Sequence, residues 1–290
     1  MILITTPTGN IGRNVLRSLV NSNQSVRVIV RHPDKLDPDL AAQIDIVQVS
    51  LDDASVLAEA LNGIESLFWC IPQSHTQENV LQYYLHFTKA LCAAIRETKP
   101  PRIVAVSSGG YGLAKNAGAI SALHAMEDLL NTTGADIKFL RCGNFMENFL
   151  WQVKPISYQG AFFYPLPSEF PIPMVCTKDI GAVAVKWLLD RDWFGQSGLG
   201  VHGAEDLTLN QVATIFSEVL NKPVRFQSIP PEAYYQSMLA NGCSSAFAQS
   251  LVDLFAEVAK GIYQAEIRTA ETTNPTTLKQ WAKDVLAPIV

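Results

Sequence analysis

The 290-residue chain is poor in the features that mark several large protein classes. Its five cysteines, Cys70, Cys92, Cys142, Cys176 and Cys243, lie far apart with no CxxC or CxxH spacing, which argues against a zinc knuckle and for a reducing compartment. No uninterrupted apolar stretch reaches the roughly 18 residues that a membrane span requires. The sequence opens Met1-Ile2-Leu3-Ile4 with no basic segment, so a cytoplasmic location is expected. Positive charge is also short: 22 Lys plus Arg stand against 27 Asp plus Glu, a net of −5, which leaves no global field to attract nucleic acid. His32, His75, His86 and His202 show no spacing suited to a metal or a catalytic triad. Ser107 and Ser108 lack the nucleophile-elbow pattern, so neither metal chemistry nor hydrolysis is indicated. Internal repeats and low-complexity tracts are absent as well.

What the chain does have is alternation. Short β-branched runs at 2–5, 26–30, 44–49, 67–71, 103–106 and 137–140 read as strands, and between them the stretches 11–20, 54–61, 80–96 and 120–130 place apolar residues three or four apart. Near-continuous apolar strands separated by helices predict an α/β fold, a doubly wound parallel sheet of the Rossmann type whose ligands bind beyond the carboxyl ends of the strands. After residue 140 the rhythm changes. Pro165, Pro167, Pro171 and Pro173 among aromatics make residues 158–173 read as a loop-rich wall rather than a helix or central strand. Helical periods at 179–189, 209–220, 245–258 and 276–285, with strand-like 199–202 and 224–229, predict a smaller α+β lobe. The expected division is a nucleotide-binding domain over 1–150 and a substrate lobe over 151–290, with segments of the lobe returning to the sheet.

The first strand runs into Thr6-Pro7-Thr8-Gly9-Asn10-Ile11-Gly12 and then directly into a helix. In such a turn glycines let the backbone approach a pyrophosphate, and the helix N-terminus offers unpaired N–H groups to its charge. Gly9 and Gly12 suit that duty, whereas Thr6 occupies the first position, where a branched Cβ resists positive φ and a modified turn is expected. The second strand ends at Arg31, followed by Lys35 four residues on. A guanidinium there can grip a ribose 2′-phosphate, so the expected cofactor is NADP(H), while Asp34 keeps an NAD(H) reading open.

With these residues in view, the chain resembles the NmrA-like branch of the atypical short-chain dehydrogenase/reductases over nearly its whole length. The loop at Thr6 to Gly12 is similar to the family's GATGxxG, and Val30-Arg31-His32-Pro33-Asp34-Lys35 to its VRxPxK. Leu67-Phe68-Trp69-Cys70-Ile71-Pro72 is similar to the fourth strand, whose end lies beside the cofactor, which implies contacts from Cys70, Ile71 and Pro72. Glu127, Gly134 and Leu140-Arg141-Cys142-Gly143-Asn144-Phe145-Met146-Glu147-Asn148 resemble E…SG…LRPxxFMEN, and the resemblance adds Gly143, Asn144 and Phe145, with Ser107 of the fifth strand, to the cofactor set. Lys178-Asp179-Ile180, residues 203–209 and Asn274-Pro275-Thr276-Thr277-Leu278-Lys279-Gln280-Trp281 resemble three further family segments. Two departures stand out beside Thr6. Cys142 replaces a proline, and Leu123 occupies the position eleven residues before Gly134 where related reductases often carry lysine.

Three side chains are candidates for proton transfer. Tyr111 and Lys115 reproduce a YxxxK spacing, in which lysine lowers a phenol pKa, although here the pair follows Ser107-Ser108-Gly109-Gly110 immediately instead of lying on a helix. His124 stands beside the Leu123 position, with Glu127 three residues on, where it is either a proton donor or half of a structural ion pair. The aromatics Phe162, Phe163, Tyr164, Tyr234 and Tyr235 read either as core or as an apolar substrate pocket. Two functions follow. One is an NADP(H)-dependent oxidoreductase of a small quinone-, enone- or imine-like molecule. The other, which the resemblance also implies, is a non-catalytic NADP(H) sensor that binds a regulatory protein partner; self-association is left open. A sugar-nucleotide epimerase would need the Tyr and Lys pair in helical register.

Overall fold

β-Branched runs separated by amphipathic stretches build a seven-stranded sheet in which every pairing is parallel. A computed structural model describes residues 1–98 and 102–290. In chain order its first part comprises β1 Ile2–Thr5, α1 Gly12–Asn21, β2 Val26–Val30, a short α2 Pro38–Ala41, β3 Asp45–Gln48, α3 Ala54–Ala60, β4 Ser66–Trp69, α4 Val80–Glu97, β5 Arg102–Ser108, α5 Ala119–Asn131 and β6 Ile137–Cys142. The remainder comprises β7 Asn144–Phe145, α6 Val153–Gln159, β8 Ala161–Tyr164, β9 Ile172–Val175, α7 Thr177–Leu189, β10 Gln196–Val201, β11 Asp206–Leu207, α8 Leu209–Leu220, β12 Arg225–Ser228, α9 Pro231–Ala240, α10 Ser245–Val258 and α11 Leu278–Trp281.

The strand order is β10-β6-β5-β4-β1-β2-β3. Successive strands therefore run outward one way from β1 through β2 to β3 and then the other way from β4, so the chain reverses direction between β1 and β4 and a crevice opens at the carboxyl ends there. Strands β1, β4 and β5 are buried almost throughout, as a sheet covered on both faces requires. On one face Val15, Leu16 and Leu19 of α1 and Ile180, Ala184 and Leu188 of α7 pack on Ile4, Val28, Phe68 and Val104. On the other, Leu57 of α3, Leu91 and Ile95 of α4 and Met126 and Leu130 of α5 pack on Leu3, Trp69, Ile103 and Phe139. A third core lies in the lobe, where Phe149, Phe162 and Phe216 meet edge to face at ring separations of 5.1–5.8 Å. From beyond residue 150, α7 and β10 join the sheet layer, β10 pairing with β6 from Gln196↔Ile137 to Val201↔Cys142.

The loop-rich wall expected over 158–173 contains two short strands, one of them, β9, central in its small sheet. β8 pairs parallel with β12, and β9 lies between β11 and β7 in a three-stranded patch. Prolines 165, 167 and 171 fall between the strands, while Pro173 sits inside β9 against partners only two residues long, so its missing donor costs a single ladder bond. The helix α9 was not legible: Tyr234 and Met238 are its only buried residues, too few to set a period. The helix expected over 276–285 is α11 followed by a π-helical turn at Ala282–Leu286. No described helix is long and apolar enough to cross a membrane.

Candidate functional site

The carboxyl ends of the central strands open into one cavity of about 620 Å³ that reaches from the sheet crevice to the underside of the lobe. At one end lies the β1–α1 turn, with Thr6, Thr8, Gly9, Asn10, Ile11 and Gly12 all in its wall. Thr6 departs from what its side chain suggests: it takes φ +49° despite the branched Cβ, the left-handed conformation expected of glycine, at a cost on the order of 1–2 kcal/mol. Two contacts hold it there. The Gly9 N–H donates to the Thr6 carbonyl at 3.0 Å, and Gly12 packs so closely that any Cβ on it would collide with that same oxygen. The branched residue is thus held in a left-handed conformation by its neighbours.

Helix α1 begins at Gly12 with no side-chain cap and no acidic residue in its first turn; the Arg13 and Asn14 N–H groups donate to the Gly9 and Ile11 carbonyls at 3.0 Å, and no side-chain charge answers the positive end of the helix dipole at the cavity. Thr5, a residue that sequence reasoning passed over, sets the depth of the crevice. Its buried hydroxyl shares its one hydrogen between the Phe68 and Cys70 carbonyls, at 3.0 and 3.1 Å, and accepts from the Cys70 N–H at 2.8 Å, tying the end of β1 to the end of β4. A polar residue closing an apolar strand was the available signal.

Arg31, His32 and Lys35 line the cavity beyond the end of β2, all exposed, so positive charge converges there. Cys70, Ile71 and Pro72 line it from β4, Ser107 and Ser108 from β5, and Gly143, Asn144 and Phe145 from the segment after β6. Burial pushes the Cys70 thiol up to about 11, opposed by the neighbouring Thr6 side chain, so it stays a neutral thiol in the wall and no thiolate nucleophile is available.

Ser107 does not stand free. Its hydroxyl donates at 2.5 Å to Glu127, a fully buried carboxylate on α5 that also receives Arg141 of β6 through Nη2 at 2.7 Å and Nε at 3.2 Å. These three residues join β5, β6 and α5 directly beneath the cavity floor. Glu147 plays a comparable part further on. It accepts from the Thr177 N–H at 3.1 Å, from the Thr177 hydroxyl at 2.7 Å and from Trp281 Nε1 at 3.3 Å, which fixes the segment after β7 to the start of α7 and to α11.

The three candidate proton donors lie elsewhere. Tyr111, Lys115 and His124 are not among the residues that line the cavity. Tyr111 donates to Asp128 at 2.6 Å, and that bond, with partial burial, pushes its phenol up to about 12, the reverse of what a general acid needs. Gly110 at φ +95° and Gly112 at φ +84° turn the chain on either side of it, so Tyr111 and Lys115 do not share a helix face, and Lys115 is exposed. His124 is buried, hydrogen-bonds through Nε2 to the Ser108 carbonyl at 3.0 Å and meets the Tyr111 ring edge on. Desolvation lowers its pKa, and the ion pair envisaged with Glu127 does not form, because Arg141 takes that carboxylate. On α5 it is Ala119, Ile120 and Leu123 that face the cavity, presenting only hydrocarbon.

The lobe supplies the remaining walls. Trp151, Tyr164, Tyr234, Met238, Phe247, Leu251, Leu254, Phe255 and Tyr263 close the cavity over Tyr84 and Phe87 of α4. Of the aromatics singled out in the sequence, Tyr164 and Tyr234 line it, whereas Phe162 is wholly buried in the lobe core. Among the described lining residues the only carboxylate is Glu147, already spent on Thr177 and Trp281, and the only cationic or titratable nitrogen groups are Arg31, His32 and Lys35 at the far end. No described group of three or more His, Cys, Asp or Glu could hold a metal.

A family model described as the NmrA-like family matches residues 1–284. The NAD(P)H azoreductase of Xenophilus azovorans is 26% identical over 258 residues, covering 88% of this chain and 86% of the azoreductase. A nucleoside-diphosphate-sugar epimerase from Staphylococcus aureus superposes with a TM-score of 0.85 at 16% identity, over 97% of this chain and 99% of the other. An NADPH-dependent quinone oxidoreductase from Escherichia coli, complexed with NADPH, superposes with a TM-score of 0.80 at 23% identity over 99% of both chains. At such identities the two structures speak for the shared fold.

Proposed function

The chain belongs to the NmrA-like family, and from that premise we propose that it is an NADP(H)-dependent oxidoreductase acting on a small apolar or planar acceptor of the quinone, enone or imine kind. The observation that carries this reading is the continuity of one cavity, which joins a phosphate-binding turn and a basic end to an aromatic chamber without free charge. A regulator that only sensed its cofactor would have no use for the chamber, and the names of the azoreductase and quinone oxidoreductase relatives support the reductase.

The residues present suit a phosphorylated dinucleotide. Thr6 to Gly12 and the uncapped start of α1 would cradle the pyrophosphate, since Gly12 leaves room for nothing but backbone, and Arg31, His32 and Lys35 would hold the 2′-phosphate. Asp34, the residue that kept NAD(H) open, is not in the cavity wall. Cys70, Ser107 and Gly143, which line the cavity at the ends of β4, β5 and β6, would hold the redox end of such a molecule. When bound it supplies hydride; the chain's part is to hold the acceptor flat against it and to exclude water. Tyr84, Phe247 and Phe255 do so by presenting ring surface, which is well matched to a planar acceptor. The test is to follow NADPH absorbance with a panel of quinones, enones and imines. Consumption with at least one neutral planar acceptor is the expected outcome, and inertness towards all of them contradicts the reading.

A further inference from the structure

Helix α5 offers the cavity no polar group, yet an acceptor that gains an electron pair on oxygen or nitrogen needs a donor to stabilise it. Four tyrosines line the walls: Tyr84, Tyr164, Tyr234 and Tyr263. Tyr164 already donates to the Asn148 carbonyl at 3.3 Å, and Tyr234 packs its ring on Tyr164 and Phe255 within the lobe. Tyr84 stands on α4 at the β4 end, near Cys70. Tyr263 differs in position. It belongs to the 3₁₀ turn Ile262–Ala265, which folds back from the lobe onto the glycine-rich turn after β5.

That placement is tightly determined. A Cβ on Gly109 would lie 2.8 Å from Tyr263 Cδ1, and one on Gly110 would press on Ile262, so both glycines are needed for the turn to seat. The Gly110 N–H donates at 2.7 Å to Glu266, which anchors the far side of the same turn. The tyrosine ring thus lies against Gly109, the residue that follows Ser108, the second serine of β5. Whereas Ser107 is committed to Glu127, the Ser108 hydroxyl makes no hydrogen bond to another described residue, and both Ser108 and Tyr263 line the cavity.

We propose that Tyr263, assisted by Ser108, is the hydrogen-bond donor to the reducible oxygen or nitrogen of the acceptor, a serine–tyrosine pair assembled from β5 and the lobe because α5 carries Ala119 and Leu123 at the cavity. This rests on the reductase reading. For a quinone the step balances as follows. The ring system receives a hydride with its electron pair from the reduced nicotinamide, a carbonyl π bond opens, and the negative charge settles on oxygen. Tyr263 hydrogen-bonds that oxygen and water protonates it; the ring carbon that took the hydride then loses its proton to solvent while the second carbonyl oxygen gains one, which restores the aromatic ring as the hydroquinone. Burial pushes the Tyr263 phenol well above its ordinary range, so it remains protonated and acts by hydrogen bonding, leaving water to supply the proton.

The experiment compares wild type, Tyr263→Phe and Ser108→Ala, each loaded with NADPH, on two acceptors. One is 1,4-naphthoquinone, and the other is N-methylacridinium, a cation that takes hydride at carbon and has no atom that needs a hydrogen bond. Tyr263→Phe is expected to slow naphthoquinone reduction about 10- to 100-fold while acridinium reduction stays within about twofold. Ser108→Ala, which leaves the ring packing in place, is expected to slow the quinone alone, by several-fold. A second readout needs no turnover: binding of naphthoquinone to the NADP⁺-loaded protein, followed through quenching of Trp151 in the cavity wall, is expected to weaken about fivefold in Tyr263→Phe. Unchanged quinone rates and unchanged quinone affinity in both variants overturn the proposal, as does an equal fall on both acceptors. A wild-type protein that reduces neither acceptor refutes the reductase reading instead, and the binding measurement then still decides the role of Tyr263.

Discussion

Replacing Glu127 with glutamine keeps the volume and shape of the side chain but removes the charge that Arg141 was folded against. The carboxylate is fully buried and accepts from Arg141 Nη2 at 2.7 Å, Arg141 Nε at 3.2 Å and the Ser107 hydroxyl at 2.5 Å. The Arg141 side chain is only 19% exposed, and its other acidic neighbour, Glu266, lies at 4.0 Å. Removing one partner of so buried a pair leaves the guanidinium uncompensated, which costs about 3–5 kcal/mol. With an unfolding entropy of about 2.1 cal/mol/K per residue, 290 residues give roughly 0.6 kcal/mol/K, so a loss near 3 kcal/mol lowers Tm by about 5 °C. Differential scanning calorimetry reads this directly. The double variant Glu127→Gln with Arg141→Met is expected to lie above the Glu127→Gln protein in Tm, because the stranded charge is gone. A Tm drop below about 2 °C in the single variant, or a double variant worse than the sum of the singles, would refute the claim that this ion pair holds β5, β6 and α5 together.

Three further outcomes follow from the site. Arg31→Ala is expected to weaken NADPH binding about 10- to 100-fold, the worth of one charge-assisted contact, with little change for NADH, measured by nicotinamide fluorescence titration. Equal losses for both nucleotides would remove the 2′-phosphate assignment. Tyr111→Phe is expected to leave NADPH turnover within about twofold, because Tyr111 lies outside the cavity and spends its hydroxyl on Asp128; a hundredfold loss would restore it as the donor. His202 is buried with neither ring nitrogen paired among the described residues, next to Arg268, Asp206 and Glu266, and desolvation lowers its pKa below the ordinary 6.5. A histidine with a depressed folded pKa contributes stability above about 6.5 that is lost as pH falls, so urea midpoints are expected to drop from pH 7 to pH 5 and His202→Gln to reduce that slope.

The parallel sheet was readable because its strands are local and nearly all apolar: the runs at 2–5 and 26–30 coincide with β1 and β2, and the others fall within a few residues. The residues that line the cavity at the β1–α1 turn and beyond β2 were readable for the same reason. The turn from Thr6 to Gly12 and the Arg31 position are short segments whose chemistry is set by neighbours in sequence, and all of them line the cavity. The conformation of Thr6 was not readable, since the force that holds φ +49° comes from the Gly9 hydrogen bond and the Gly12 contact rather than from threonine itself. The aromatic chamber was hidden more deeply. Tyr84, Phe247 and Tyr263 come from three distant segments that only tertiary packing brings together, and no spacing records it. Conversely, the spacing of Tyr111 and Lys115 suggested a helix face where two left-handed glycines make a turn.

The central claim is that NADPH bound along this cavity passes hydride to an acceptor seated in the aromatic chamber. The most direct measurement is a stopped-flow single turnover, in which protein loaded with one equivalent of NADPH is mixed with a neutral naphthoquinone and nicotinamide absorbance is followed. Loss of the reduced nicotinamide signal in proportion to protein, much faster than for free NADPH, is expected, with a clear advantage over NADH at low nucleotide concentration. Tight NADPH binding with a signal that decays no faster than in the absence of protein, for quinones, enones and imines alike, would contradict it.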